Sequence, residues 1–268
     1  MRSDNVELAA SIRVAQVQVA MDEAVCLAPH VPAREALDLL KAHNFDHAPV
    51  LVKKRPRFWV SRAALERSGA RYVSDVQEPI ETSQLIAAQA SIGELVAGLA
   101  AADFLFVLDR RDIAGFVTWS DLNKQPVRSY FYLRVAAFEA FLAESIRTSV
   151  GDDKAFALLP SDRQATLTKV RAQARHDNHE LGWISYFYLD DLLAATRQLP
   201  RVREAMGVSS LKRWTDHTEG LPRVRNASVH LVRDLVDSRW PAHELAKVDR
   251  HLDQLLGPTV RAPSGAAR

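Results

Sequence analysis

The sequence predicts a two-domain α+β chain, in which a unit written twice is followed by an all-helical region. Three observations predict it. A helix–strand–charged turn–strand–helix order recurs within the first 124 residues, helical periodicity replaces strands after Pro126, and 268 residues suffice for two cores. Hydrophobic residues make up 47% and charged residues 25%, a globular rather than fibrous composition. The most apolar stretch, Leu85 to Leu108, is interrupted by Gln89, Glu94 and Asp103, so no membrane span is expected. The chain opens with Arg2, Asp4 and Glu7 and shows no long apolar run of an export signal. A single cysteine, Cys26, excludes an internal disulfide and reads as a small buried apolar residue. A cytoplasmic location is therefore expected.

Residues 1–16 stand as an N-terminal segment before the first repeat. In that repeat Val31 to Leu40 has helical spacing, Ala48–Val52 reads as a strand, and the basic turn Lys53–Arg57 leads to Phe58–Val60 and the helical Ser61–Leu65. In the second, Ser91-Ile92-Gly93-Glu94 is a capping box, Leu95–Ala102 a helix and Phe104–Leu108 a strand. The turn Asp109–Asp112 then leads to Ile113–Thr118 and a helix opening at Ser120-Asp121-Leu122. Leu65 and Leu122 stand 57 residues apart, the period of the unit.

Phe45-Asp46-His47-Ala48-Pro49-Val50 resembles the segment entering the first hairpin strand of cystathionine-β-synthase (CBS) domains. Gly115-Phe116-Val117-Thr118-Trp119-Ser120-Asp121-Leu122 closely resembles the signature that ends a repeat of that family. The resemblance covers roughly residues 17–124. It implies two βαββα units packed side by side, with ligand clefts between them and an adenine nucleotide (AMP, ADP, ATP or related) as regulatory ligand.

The signature also has a chemical reading of its own. A hydroxyl at a strand end followed by a helix N-terminus offers a phosphate a donor and a favourable dipole. A carboxylate in the first helical turn can accept from both hydroxyls of a ribose. Thr118 is thus assigned to phosphate, Asp121 to the ribose diol and Ser120 to a supporting hydroxyl. By itself the helix start also fits an N-cap with a dipole-complementing acid; the Gly-x-x-Thr-x-Ser-Asp string within a repeat favours the nucleotide site. The first repeat keeps a hydroxyl at Ser61 but has Ala64 in place of the carboxylate and Phe58 in place of the glycine. One functional cleft per pair is expected.

Residues 125–256 read as helices, with Tyr130, Leu133, Ala137, Phe141 and Ile146 along a long first one. Ser161-Asp162-Arg163-Gln164 suggests a second start, Ile184–Leu193 a third helix, Arg223–Val236 a fourth and Ala242–Leu256 a last. The Pro-, Gly- and Ala-rich tail 257–268 is expected to be disordered. Along Arg223–Val236 the residues Val224, Ser228, Leu231 and Leu235 point toward a core, whereas Asn226, His230 and Arg233 share the opposite face.

Arg225-Asn226-Ala227-Ser228-Val229-His230 resembles the Arg-x(4–6)-His motif of HEPN domains, a helical family named for higher-eukaryote and prokaryote nucleotide binding. Active members are metal-independent endoribonucleases, and others keep the fold for dimerisation or nucleotide binding; a homodimer with facing motif helices is implied. In RNA cleavage His230 would act as general base or acid, Arg225 would clamp the phosphate, Asn226 would position it, and Glu139 (or Glu144) would orient the cluster. A non-catalytic regulatory or dimerisation protein is the alternative, and neither metal nor membrane is expected. Residues 1–124 carry 14 basic and 16 acidic side chains and the remainder 21 and 17, a bias too small to announce nucleic acid. His176, Asp177, His179 and Glu180 lack a standard metal spacing and read as a solvated face. Trp183, Tyr186, Phe187 and Tyr188 read as core and interface aromatics.

Overall fold

The structure, a computed structural model, describes residues 2–179 and 181–257. Among the described residues, 13–121 form one compact unit, and the other joins those before Arg13 to those from Leu122 to Gly257. The N-terminal segment expected as 1–16 is therefore divided: α1 (Arg2–Ser11) belongs with the helical unit. Among the described residues no helix is long and apolar enough to cross a membrane.

In the sheet unit β1 (Val19–Ala20) precedes α2 (Ala33–Ala42), β2 (His47–Val52), β3 (Arg55–Ser61) and α3 (Arg62–Ser68). The second repeat runs β4 (Glu78–Pro79), β5 (Leu85–Ala87), α4 (Ile92–Leu99), β6 (Phe104–Asp109) and β7 (Asp112–Thr118), sharing with the first a helix followed by a two-stranded hairpin. The short leading strands are exchanged between repeats. β1 pairs with β7 (Val19 opposite Phe116) and β4 with β3 (Phe58 opposite Pro79), giving sheets β1-β7-β6-β5 and β2-β3-β4. On α2 the buried Ala33, Ala36 and Leu40 recur at helical spacing and pack with Leu27, Val50 and Val60. The capping box at α4 forms as the sequence predicts: Ser91 Oγ accepts from Glu94 N–H at 3.2 Å, and Glu94 Oε2 from Ser91 N–H at 2.7 Å.

The helix expected to open at Ser120 is a five-residue 3-10 turn, Trp119–Asn123. Pro126 accounts for this, because it has no N–H to give to the carbonyl four residues back. It instead sits in the first turn of α5 (Gln125–Val150), where no such donor is needed.

The helical unit is built on α5, whose Val127, Phe131, Val135, Phe138, Leu142 and Ile146 are buried. Each such side chain stabilises the unit by roughly 1.5–3 kcal/mol. Around it stand α6 (Asp152–Ala157), α7 (Ser161–His176), α8 (Leu189–Arg197), α9 (Pro200–Ala205), α10 (Leu211–Thr218), α11 (Leu221–Val229) and α12 (Ala242–Leu256). Helices α1, α8, α11 and α12 all pack on α5. Buried Arg134 ties α5 to α12: it pairs with Asp249, reaches Asp253 at 2.5 Å and donates to Tyr130 Oη at 2.6 Å.

Several expected boundaries differ. Pro160, not a serine side chain, precedes α7. The third helix is a 3-10 turn, Trp183–Tyr186, and then α8, because Asp191 caps the backbone N–H of Tyr188 at 2.9 Å. Tyr188 is exposed, whereas Trp183 is clasped between Phe156 (4.0 Å) and the Arg171 guanidinium (4.1 Å). The helix read over 223–236 ends at Val229, and Leu231, assigned to the core, is 68% exposed. Its cause lies in α5: the buried Arg128 guanidinium donates to Ala227 O and, at 2.8 Å, to Arg233 O. This cation at the helix C-terminus takes carbonyls that further turns would have used. Gly257 caps α12 with φ 73°; the rest of the expected disordered tail, and Glu180, lie outside the described residues.

Candidate functional site

Each unit holds one cluster of the residues singled out above. In the sheet unit, β7 ends at Thr118, whose N–H and Oγ1 both donate to Asp121 Oδ2, at 2.7 and 3.0 Å. Thr118 has a single hydroxyl proton and gives it to Asp121, so it accepts from Ser120 Oγ at 2.8 Å. Asp121 is buried at 6% exposure, and Ser120 and Trp119 are exposed. Thr118, Ser120 and Asp121 thus form one hydrogen-bonded hydroxyl–carboxylate chain, running from a buried acid to an exposed hydroxyl. Gly115 permits the strand exchange: a Cβ there would fall 2.4 Å from Val19 O and 2.7 Å from Gln18 Oε1.

The first repeat uses the equivalent hydroxyl differently. Ser61 Oγ accepts from Ala64 N–H at 3.0 Å and caps α3. An aromatic cluster that sequence reasoning did not assemble stands at this end of the strands. His47 and Trp59 lie 4.6 and 4.9 Å from Phe104, and Phe104 is opposite Thr118 in the β6–β7 register. Burial pushes the His47 imidazole down, against the upward pull of Asp103 and Asp46. The only sequence signal was His47 itself, inside the segment Phe45–Val50.

In the helical unit Arg225 Nε lies 3.7 Å from Glu139 Oε1, and Arg225 Nη1 donates weakly to Asn226 Oδ1 at 3.4 Å. Glu139 Oε1 is buried without a hydrogen bond. Burial pushes its carboxyl up; Arg225 opposes this and Asp190 adds to it. Arg225 and Asn226 line a cavity of about 190 Å³ with Tyr188, Asp190 and Pro222. Glu144 is directed elsewhere, pairing with Arg147 at 2.7 Å.

His230 departs from the expected arrangement. It is the first residue after α11, exposed and extended (φ −103°, ψ 102°), and its N–H donates to Asn226 O at 3.0 Å. It is not on a helical face with Asn226. Asp190 and Tyr188 are additions that the motif alone did not name. Their neighbour Asp191 is structural, held by Arg163 through two bonds of 2.7 Å.

No protein-family model matches the sequence, and no curated protein does. Similar solved structures are CBS domains. That of a bacterial CNNM/CorC family Mg2+ transporter in complex with ATP is 15% identical, with a TM-score of 0.39, covering 48% of this chain and 94% of that one. The CBS-pair protein CBSX2 from Arabidopsis thaliana is 16% identical with a TM-score of 0.38, covering 44% and 94%. CBSX2 in complex with AMP gives 16% identity, a TM-score of 0.37 and the same coverage.

Proposed function

We propose that this chain is an adenine-nucleotide-responsive regulator, in which residues 13–121 act as a CBS-type sensor and the helical unit as a HEPN-type effector. The Thr118–Ser120–Asp121 chain carries the reading. A carboxylate oriented by a backbone N–H and a hydroxyl is the acceptor type that a vicinal diol pairs with. The Ser120 hydroxyl, exposed at the end of this chain, can turn its single proton from Thr118 to a phosphate beside it. Ala64 leaves the first repeat without this pair, so of the two equivalent repeat sites only the one at Thr118–Asp121 binds nucleotide. Coupling follows the Trp119–Asn123 turn, which carries Asp121 and continues into the helical unit. It requires that nucleotide bind two states of that turn unequally. Calorimetric titration of AMP, ADP and ATP into the wild-type and Asp121→Ala chains tests the sensor.

A second reading concerns the effector, and the convergence of Glu139, Arg225, Asn226 and Asp190 favours it. Arg225, held by Glu139, would receive an RNA phosphate, Asn226 would position it, and His230 would take the 2′-hydroxyl proton without metal. His230 stands just outside α11, so this chemistry needs its loop to bring the imidazole over the cavity, in a homodimer or on RNA binding. Cleavage of RNA in chelator, leaving 2′,3′-cyclic phosphate ends and lost in Arg225→Ala and His230→Ala, would support it. Without cleavage the unit acts as a binding and dimerisation module.

A further inference from the structure

A cavity of about 880 Å³ in the sheet unit lies at the hairpin turns, the opposite end of β7 from Thr118. Lys54, Arg55 and Arg57 reach it from the β2–β3 hairpin and Arg111 from the β6–β7 hairpin. Two carboxylates share the lining, Asp22 and Asp112, and Asp112 lies 3.9 Å from Arg55. Cations therefore outnumber anions, and Leu51, Ile80, Leu108 and Ile113 supply apolar wall between them. Its size is that of a site for a small organic molecule.

The turns give an independent reason to read Lys54, which lines the cavity, as functional. Lys53 and Lys54 form the two-residue β2–β3 loop with φ 51° and 64°, the type I′ turn that favours Asn-Gly. In the second hairpin Arg110 has φ 55°. Side chains with a Cβ are disfavoured in this left-handed region, and a turn selected only for folding would carry glycine or asparagine. Both repeats place basic residues there instead. Backbone outliers of this kind cluster at ligand clamps.

We propose that this cavity is a second ligand site, for an organic polyphosphate of the nucleoside di- or triphosphate class. Lys54, Arg57 and Arg111 take the phosphoryl groups, and Leu51, Ile80, Leu108 and Ile113 pack against the base or other apolar moiety. It is separate from the Thr118–Asp121 site and does not depend on it.

The test is calorimetric titration of inorganic tripolyphosphate, and then ATP, into the full chain. Tripolyphosphate binds the wild-type chain with one site, more weakly as salt is raised. Binding falls by about tenfold or more in the Arg57→Glu/Arg111→Glu variant and in the charge-neutral Arg57→Gln/Arg111→Gln variant, because charge-assisted contacts to phosphate are lost. Both arginines are exposed, so neither variant removes core packing. Asp121→Ala leaves tripolyphosphate binding unchanged. Absence of tripolyphosphate binding to the wild-type chain, equal binding by the arginine variants, or binding of single-stranded RNA alone overturns the proposal. ATP binding that survives Asp121→Ala entirely but is lost in the arginine variants retains this site and removes the nucleotide assignment at Thr118.

Discussion

The side-chain amide of Asn123 pairs in both directions with the backbone of Val236: Nδ2 donates to Val236 O at 2.9 Å, and Oδ1 accepts from Val236 N–H at 3.1 Å. The same Oδ1 accepts from Leu235 N–H at 2.7 Å. Arg128, one turn into α5, holds the carbonyl of Arg233, so two side chains replace the backbone bonds a longer α11 would have made. Asn123→Ala leaves these buried backbone groups unsatisfied, at a cost of about 1–3 kcal/mol. Hydrogen exchange should show Leu235 and Val236 amides losing protection first, with α12 amides little changed. Equal protection in the variant would show that the clamp is dispensable.

That clamp also explains which parts of the fold were legible in the sequence. The β2–β3 and β6–β7 hairpins, the capped α4 and the C-terminal α12 are set by residues near one another in the chain, and their patterns read directly. The spacing of Val224, Ser228, Leu231 and Leu235 continues a helix equally well. It stops at Val229 because Arg128, 99 residues before Ala227, takes the carbonyls. No local pattern contains that information. The same holds for the candidate sites. Thr118 and Asp121 are three residues apart and were visible as a pair. Tyr188 and Asp190 join Arg225 only through the packing of α8 and α11 against α5.

Stability should decline in acid through His251. Its ring stacks on His217 at 4.3 Å, and burial, His217, Lys247 and Arg250 together lower its pKa to about 4. The unfolded chain binds this proton at the ordinary value near 6.5. The contribution is therefore complete above pH 6.5 and is lost as pH falls from there toward 4. His251→Phe keeps a stacked ring and removes the proton. Tm measured from pH 7 to 4 should fall less in this variant than in the wild-type chain; parallel curves would remove His251 from the account.

The β2–β3 turn predicts a trade between stability and binding. Lys53→Asn/Lys54→Gly relieves two left-handed lysines and should stabilise the sheet unit by about 1 kcal/mol. Urea denaturation would register this as a higher midpoint at unchanged slope. The same variant should bind tripolyphosphate less tightly, since it loses a cation of the proposed cavity. A lower midpoint would show that the lysines fit the turn as well as asparagine and glycine do.

For the helical unit, Glu139→Gln separates the two readings of the Arg225 cluster. If Arg225 clamps RNA, the variant frees the guanidinium from its buried partner yet loses its orientation. Metal-free cleavage by the wild-type chain should then fall by roughly tenfold or more, the scale of a displaced charge-stabilising group. A wild-type chain with no cleavage in chelator, identical to His230→Ala, assigns the cluster to binding or dimerisation.

The central claim is that Asp121, oriented by Thr118, holds the ribose of an adenine nucleotide. It is tested most directly by titrating AMP into the wild-type and Asp121→Ala chains, with circular dichroism of each to verify the fold. The account predicts one AMP bound per wild-type chain and no measurable binding to folded Asp121→Ala. Equal AMP affinity in the two chains would contradict it.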